Sequence, residues 1–229
     1  MKNSIITQVK KLSFVFVLLS AFISLSGYNF LTAEVNAQGV EKFKAAGKFL
    51  IGAKVLHLFT DEDSTVSIGG EAKVDDDTIP LLEFRYFFTD NIAIDTILGT
   101  TKHNAAAIGT ALGDVDLGSV GVIPTTVTLQ YHFNSSNNFL PYIGAGINYS
   151  FFYDVNPGAV ANVTYHDNTG FAINFGFDYV LSENNYFNID IKKYSLSTDV
   201  FVDAGDAGTA TAKVDLDPLA LSIGYGWRF

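Results

Sequence analysis

The chain has 229 residues and no cysteine, and its formal charge of −10 comes from 14 basic against 24 acidic residues. The missing thiols exclude disulfides, a cysteine nucleophile, a thiolate metal site and lipid attachment at a cysteine. An acidic chain without a cluster of Lys or Arg is no nucleic-acid binder, because attraction to phosphate requires such a cluster.

The first predicted element is an export signal. Lys2, Lys10 and Lys11 form a basic start, and the apolar run Leu12–Leu25 follows it. A spanning helix needs about 20 apolar residues, so this run is short for an anchor and fits a secretory signal peptide. Small residues at Val35-Asn36-Ala37 predict cleavage after Ala37, with Ala33 as the alternative site. Residues 1–37 are thus expected to be removed, leaving 38–229 as one more acidic domain. An uncleaved N-terminal anchor is the competing reading.

Eight strands are expected in the remainder, in chain order Lys48–Phe59, Ile79–Phe88, Ile92–Gly99, Val120–Phe133, Tyr142–Tyr153, Phe171–Leu181, Tyr186–Leu196 and Leu219–Phe229. The signal is period two, which places alternate side chains on opposite faces. In the sixth segment Phe171, Ile173, Phe175, Phe177, Tyr179 and Leu181 share one face, against Ala172, Asn174, Gly176 and Asp178. The fifth and eighth segments repeat this aromatic face opposite Gly, Asn and Ser. In a transmembrane barrel the apolar face meets lipid, aromatics gather at the interfaces, and the interior is small or polar. The seventh segment departs from the pattern, because Lys193 follows Ile191 on the outward face; it marks a bulge or the point where the strand leaves the membrane. Short turns are expected at 89–91, 134–138 and 182–185. Long loops are expected near 60–78, 100–119, 154–168 and 197–213. That alternation puts both termini on the periplasmic side of a bacterial outer membrane.

The stretch NNFLPYIGAGINYSFFYD, ending at Asp154, resembles the PYVGAGINYTFFD signature of the OmpW/AlkL family of outer-membrane proteins. Phe88–Ile92 (FTDNI), Pro124–Phe133 and Val214–Phe229 resemble it in the same order, and together they run with gaps over nearly all of the expected mature chain. The resemblance implies an eight-stranded antiparallel transmembrane β-barrel that carries small hydrophobic molecules and releases them sideways into the bilayer. It also implies that the terminal Phe229 is the signal read by the barrel-assembly machinery. The chain departs from the family at Ile123-Pro124-Thr125, Leu219 and Thr100-Thr101-Lys102.

The lumen-facing residues sort by depth. An apolar funnel towards the outside is expected from Leu56, Leu81, Ile97, Val122, Phe152 and Leu216. A polar floor is expected from Glu83, Arg85, Asp95, Asp178, Asp190, Lys192 and Arg228, whose two charge signs can pair. An eight-stranded barrel is just wide enough for side chains to fill it or to hold one small ligand. A molecule stopped by such a floor needs another exit. Pro124 lacks an N–H and weakens strand pairing, so a lateral gate beside it, towards the preceding strand, is expected. The alternative is a structural or adhesive barrel of the OmpA/OmpX type, with a filled interior and working loops.

Enzymatic chemistry is not expected. His57, His103, His132 and His166 show no metal-ligand spacing, and there is no nucleophile elbow or phosphate loop. No cofactor is implied. The acidic clusters Asp61-Glu62-Asp63 and Asp75-Asp76-Asp77 read as solvated surface, with weak divalent-cation binding as the alternative. The expected partners are outer-membrane lipids, small hydrophobic molecules and the assembly machinery.

Overall fold

A computed structural model describes residues 43–133 and 138–229. The expected signal peptide and most of the expected turn at 134–138 lie outside the described residues. The elements are β1 (Phe49–Phe59), β2 (Glu62–Val66), β3 (Glu71–Val74), β4 (Asp77–Phe87), β5 (Ile92–Leu98), β6 (Thr101–Thr110), β7 (Gly113–His132) and β8 (Phe139–Asn156). Then come β9 (Asn162–Tyr165), β10 (Asn168–Ser182), β11 (Asn185–Asp203), a 3-10 turn at Gly205–Ala207, β12 (Thr209–Leu216) and β13 (Leu219–Arg228).

Eight of these strands close a ring. β1 pairs with β4, and the order continues through β5, β7, β8, β10, β11 and β13 back to β1, every pair antiparallel. Closure leaves no free strand edge, so the backbone N–H and C=O groups in the wall bond strand to strand and can meet lipid. Within the ring the faces are inverted relative to a soluble protein. On β10, Phe171 is 74% and Ile173 62% exposed, whereas Asn174 is 5% and Asp178 0% exposed. Apolar side chains outside and polar ones inside are stable only where the outer face is wetted by acyl chains. The eight expected strands are these eight.

The four expected long loops are corrected by the structure. β2 and β3 occupy the first, β6 and the start of β7 the second, β9 the third, and the end of β11 with the start of β12 the fourth. A membrane strand needs about 9–11 residues, yet β7 has 20, β11 has 19 and β8 has 18. These hairpins rise well past the membrane at the end opposite the short turns, and pairings β2–β12, β11–β12, β9–β11, β3–β6 and β6–β7 extend the wall there. Composition misled because Gly, Asp, Thr and Ala are turn-prone or weak strand formers. Here cross-strand pairing satisfies their backbones, and alternation persists with its sense reversed.

β11 shows the reversal within one strand. Asp190 and Lys192 point inward and Ile191 outward; farther along, Val200 and Val202 are buried and Asp199 is exposed. The changeover falls after Lys193, whose ammonium is held by the carbonyl of Asp217 and lies 3.9 Å from Asp61. Register runs unbroken past Lys193, and the irregularity between β10 and β11 is at Val180/Ser182 instead. Lys193 therefore marks the changeover from an apolar to a more polar outward face, not a bulge.

Candidate functional site: an apolar cavity above an ion-paired floor

At the short-turn end the lumen is filled by charge. Arg85 on β4 is fully buried, with Nη1 2.8 Å from Asp178, Nη2 3.0 Å from Glu83 and Nε 3.6 Å from Asp95. Its guanidinium lies 4.7 Å from the centre of the Tyr142 ring. Lys54 on β1 pairs with Glu83 at 2.5 Å, and Lys192 on β11 pairs with Asp190 at 2.5 Å and lies 3.7 Å from Asp95. Lys44, ahead of β1, reaches Asp178 at 2.7 Å and His132 Nδ1 at 2.7 Å. Neutral partners add to two of the carboxylates: Asn188 donates to Asp178 at 2.6 Å, and Asn174 and the Tyr142 hydroxyl donate to Asp190 at 2.7 and 2.9 Å, whereas Asp95 Oδ1 has no hydrogen-bond partner among the described residues. Lys44, Lys54, Arg85 and Lys192 thus oppose Glu83, Asp95, Asp178 and Asp190 without net charge, which is what burial of so many ions requires.

Two tyrosines fill the space left by glycines across the ladder. Tyr142 faces Gly176 and Tyr186 faces Gly226; both rings are fully buried. A Cβ at Gly226 would lie 2.2 Å from Tyr186 Cζ, so only glycine admits the ring. Leu50, Phe87 and Ala93 cluster with Tyr186, and Phe43 packs against it.

Of the expected floor residues, Glu83, Arg85, Asp95, Asp178, Asp190 and Lys192 meet in this one network. Arg228 does not and is corrected: it points inward beside Leu50 but sits at the rim, 3.4 Å from Asn184 Oδ1 and 5.4 Å from the centre of the Phe43 ring. Asn174, Asn188 and His132 have the inward parity expected of lumen residues, whereas Lys44, Lys54 and Tyr142 were not expected there. Lys54 alternates in phase with the expected funnel residue Leu56, and Tyr142 with the Gly, Asn and Ser face of the fifth expected strand, so period two alone points to both. Lys44 precedes the first strand, and no local pattern points to it.

Above the network the lumen turns apolar. Its base is a short polar chain: Ser150 donates to Asn148, Asn148 to Thr126 at 2.9 Å, and Thr126 to the Tyr194 hydroxyl at 3.4 Å. A cavity of about 170 Å³ opens over it. Leu56, Leu81, Ile97, Val122, Phe152 and Leu216 all line it, as does Pro124. Farther from the floor the lining is short aliphatic, with Ala72, Ala105, Ala107, Val115, Val200 and Val214. The expected funnel residues are therefore neighbours around one space.

The wall beside the cavity base has a break. Pairing of β5 with β7 stops at Ile97–Thr126, and pairing of β6 with β7 begins at Thr101–Val122 in the same register. Between them, among the described residues, Leu98-Gly99-Thr100 and Ile123-Pro124-Thr125 make no ladder pair with each other, although Leu98 still pairs with Leu82 on β4. Pro124 supplies no N–H there, although its other edge is paired opposite Ser150 on β8. Gly99 faces the cavity with no side chain, and a Cβ there would meet Ile79 Cδ1 at 3.0 Å and Leu81 Cβ at 3.2 Å. Threonine hydroxyls reach across beside the break: Thr100 hydrogen-bonds the Tyr153 hydroxyl, and the Thr100 and Thr101 hydroxyls reach the Val122 carbonyl at 3.4 Å.

Other singled-out residues have local roles. Phe229 continues the β1–β13 seam through reciprocal backbone bonds with Phe49. His57 Nδ1 lies 2.7 Å from Thr78 Oγ1, and His103 Nδ1 lies 2.8 Å from the Asp75 carbonyl. His166 accepts from Thr198 through its carbonyl. The acidic clusters are engaged by neighbouring segments: Asp76 accepts from the Thr60 N–H and hydroxyl, which hold its carboxyl below the usual range, Asp77 accepts from the Lys102 N–H on β6, and Glu62 lies 3.3 Å from Lys73.

A model of the OmpW family matches residues 45–229. The chain is 39% identical over 182 residues to the outer-membrane protein y4mB of Sinorhizobium fredii, covering 78% of this chain and 79% of that one. It is 32% identical over 166 residues to the dibenzothiophene metabolism operon protein PahQ of Pseudomonas aeruginosa, covering 70% and 76%. The crystal structure of the outer-membrane protein OprG of Pseudomonas aeruginosa superposes with a TM-score of 0.75 at 28% identity, covering 81% of this chain and 97% of that one.

Proposed function

The chain belongs to the OmpW family of outer-membrane β-barrels, and on that premise we propose that it is a conduit for small hydrophobic molecules and not an enzyme. The short turns and both termini face the periplasm, and the extended hairpins face the cell exterior. Phe229, ending an alternating aromatic strand, serves as the recognition signal for the barrel-assembly machinery. Cargo enters between the extended hairpins, occupies the apolar cavity, and leaves sideways through the break between Leu98–Thr100 and Ile123–Thr125 into the outer leaflet.

One observation carries this reading: the apolar cavity ends on a neutral, ion-paired floor, and the wall beside that end lacks backbone pairing. A molecule without charge or hydrogen-bonding capacity gains nothing from the floor, since passing it would break ion pairs it cannot replace. The break offers a route from one apolar medium to another. The relative whose name ties it to dibenzothiophene metabolism, an apolar aromatic, supports cargo of this kind.

The test is entry of the hydrophobic dye N-phenyl-1-naphthylamine into intact Gram-negative cells, followed by fluorescence with and without the protein. Cells expressing the chain should take up dye faster. Leu81→Asn should slow this roughly fivefold to thirtyfold, because cargo passing an amide strips water from it at about 1–2 kcal/mol. Equal uptake with and without the protein would refute the reading.

A further inference from the structure

Tyr165, at the end of β9, is the one polar side chain lining the apolar cavity whose buried oxygen has no protein partner among the described residues. Polar neighbours on the same lining are already engaged: His103 with the Asp75 carbonyl, Thr198 with the His166 carbonyl, and Ser150 with Asn148. The Tyr165 ring is fixed from two sides. It stacks on Phe152 with centroids 5.5 Å apart and planes 19° from parallel, and β9 pairs it opposite Val200 on β11. It also packs against the Ala/Val cluster of the extended hairpins. Burial pushes the phenol up to about 12, so at neutral pH it keeps its proton and remains a donor. A hydroxyl held in an apolar chamber without a protein acceptor is a donor still to be matched, and a ligand that brings an acceptor to it gains a hydrogen bond the protein does not make for itself.

We infer that Tyr165 is a reading point for cargo, and that the conduit prefers apolar molecules carrying one hydrogen-bond acceptor, such as ketones, aldehydes and esters, over pure hydrocarbons. This deepens the conduit reading and rests on it. The ligand's carbonyl accepts from the Tyr165 hydroxyl while its chain or ring lies along Phe152 and the aliphatic lining. Charged or multiply polar molecules gain no further partner there and still lose water, so the selectivity is for a single acceptor.

The experiment compares 2-nonanone with nonane. In cells expressing the full chain, 2-nonanone should enter faster than nonane, each measured against cells without the protein. Tyr165→Phe should erase about fivefold to tenfold of that preference, the worth of one hydrogen bond, read as the ratio of the two uptake rates. In the purified wild-type protein, the infrared carbonyl band of bound carbonyl-13C 2-nonanone should lie at lower frequency than in alkane solvent, and return towards the alkane position in Tyr165→Phe. A wild-type carbonyl band unshifted from alkane overturns the inference without reference to any variant. So does an uptake ratio that Tyr165→Phe leaves unchanged, with both probes still entering. Failure of both probes to enter through the wild-type protein overturns the conduit reading and this inference with it.

Discussion

Arg85→Met removes a charge while keeping much of the side chain's bulk, and so isolates the electrostatic worth of the floor. Arg85 contacts Asp178 at 2.8 Å, Glu83 at 3.0 Å and Asp95 at 3.6 Å, all essentially inaccessible to water. Without it, Glu83 keeps Lys54, Asp178 keeps Lys44, and Lys192 must serve both Asp190 and Asp95. One buried carboxylate is left short of a counter-charge, a defect that costs about 3–5 kcal/mol. Against a total stability on the order of 5–15 kcal/mol this is a large share. Trp227 is the only tryptophan and faces outward, so its fluorescence during guanidinium unfolding of the protein in lipid vesicles reads the change directly. Combining Arg85→Met with Glu83→Gln restores equal numbers of cations and anions and should recover part of the loss, making the double variant more stable than the sum of the two single changes predicts. A single variant within about 1 kcal/mol of the parent, or strict additivity in the double variant, would refute the account of the floor as a coupled neutral network.

Two further outcomes follow from the wall. Leu98→Cys with Thr125→Cys places cysteines opposite each other in the register shared by the flanking pairs Ile97–Thr126 and Thr101–Val122, and the chain has no other cysteine to mispair with. The oxidised protein should lose dye uptake and regain it on reduction; undiminished uptake with the disulfide formed rules out this seam as the exit. Gly226→Ala drives a methyl into the Tyr186 ring, which is closed in by Phe43 and the Glu83 side of the floor. It should cost about 1–3 kcal/mol, the usual penalty of overpacking, seen as a lower guanidinium midpoint, and an unchanged midpoint contradicts the packing described.

Much of the barrel is legible in the residues because side-chain direction along a strand is local. Phe171, Ile173 and Phe175 alternate with Ala172, Asn174 and Gly176 whatever lies beside them, so strand identity, the lipid-facing side and the lumen-facing carboxylates can all be read from period two. The short turns, and the proline at 124 with its missing donor, are local features of the same kind. The inward direction of Lys54 is local in the same way, set by its alternation with Val55 and Leu56.

Pairing and depth are not local. That Lys44 reaches Asp178, that Lys192 stands between Asp190 and Asp95, and that Arg228 falls at the rim depend on the stagger between strands far apart in sequence. That stagger is a property of the closed ring. The Ala-, Thr- and Asp-rich stretches become strands only because neighbouring hairpins rise to the same height and satisfy their backbone groups. The break opposite Pro124 likewise exists only where β5 ends and β6 begins on the same partner strand. The sequence by itself determined which way each side chain turns; the tertiary structure decided what each one meets, because register couples segments that carry no information about one another until the ring closes.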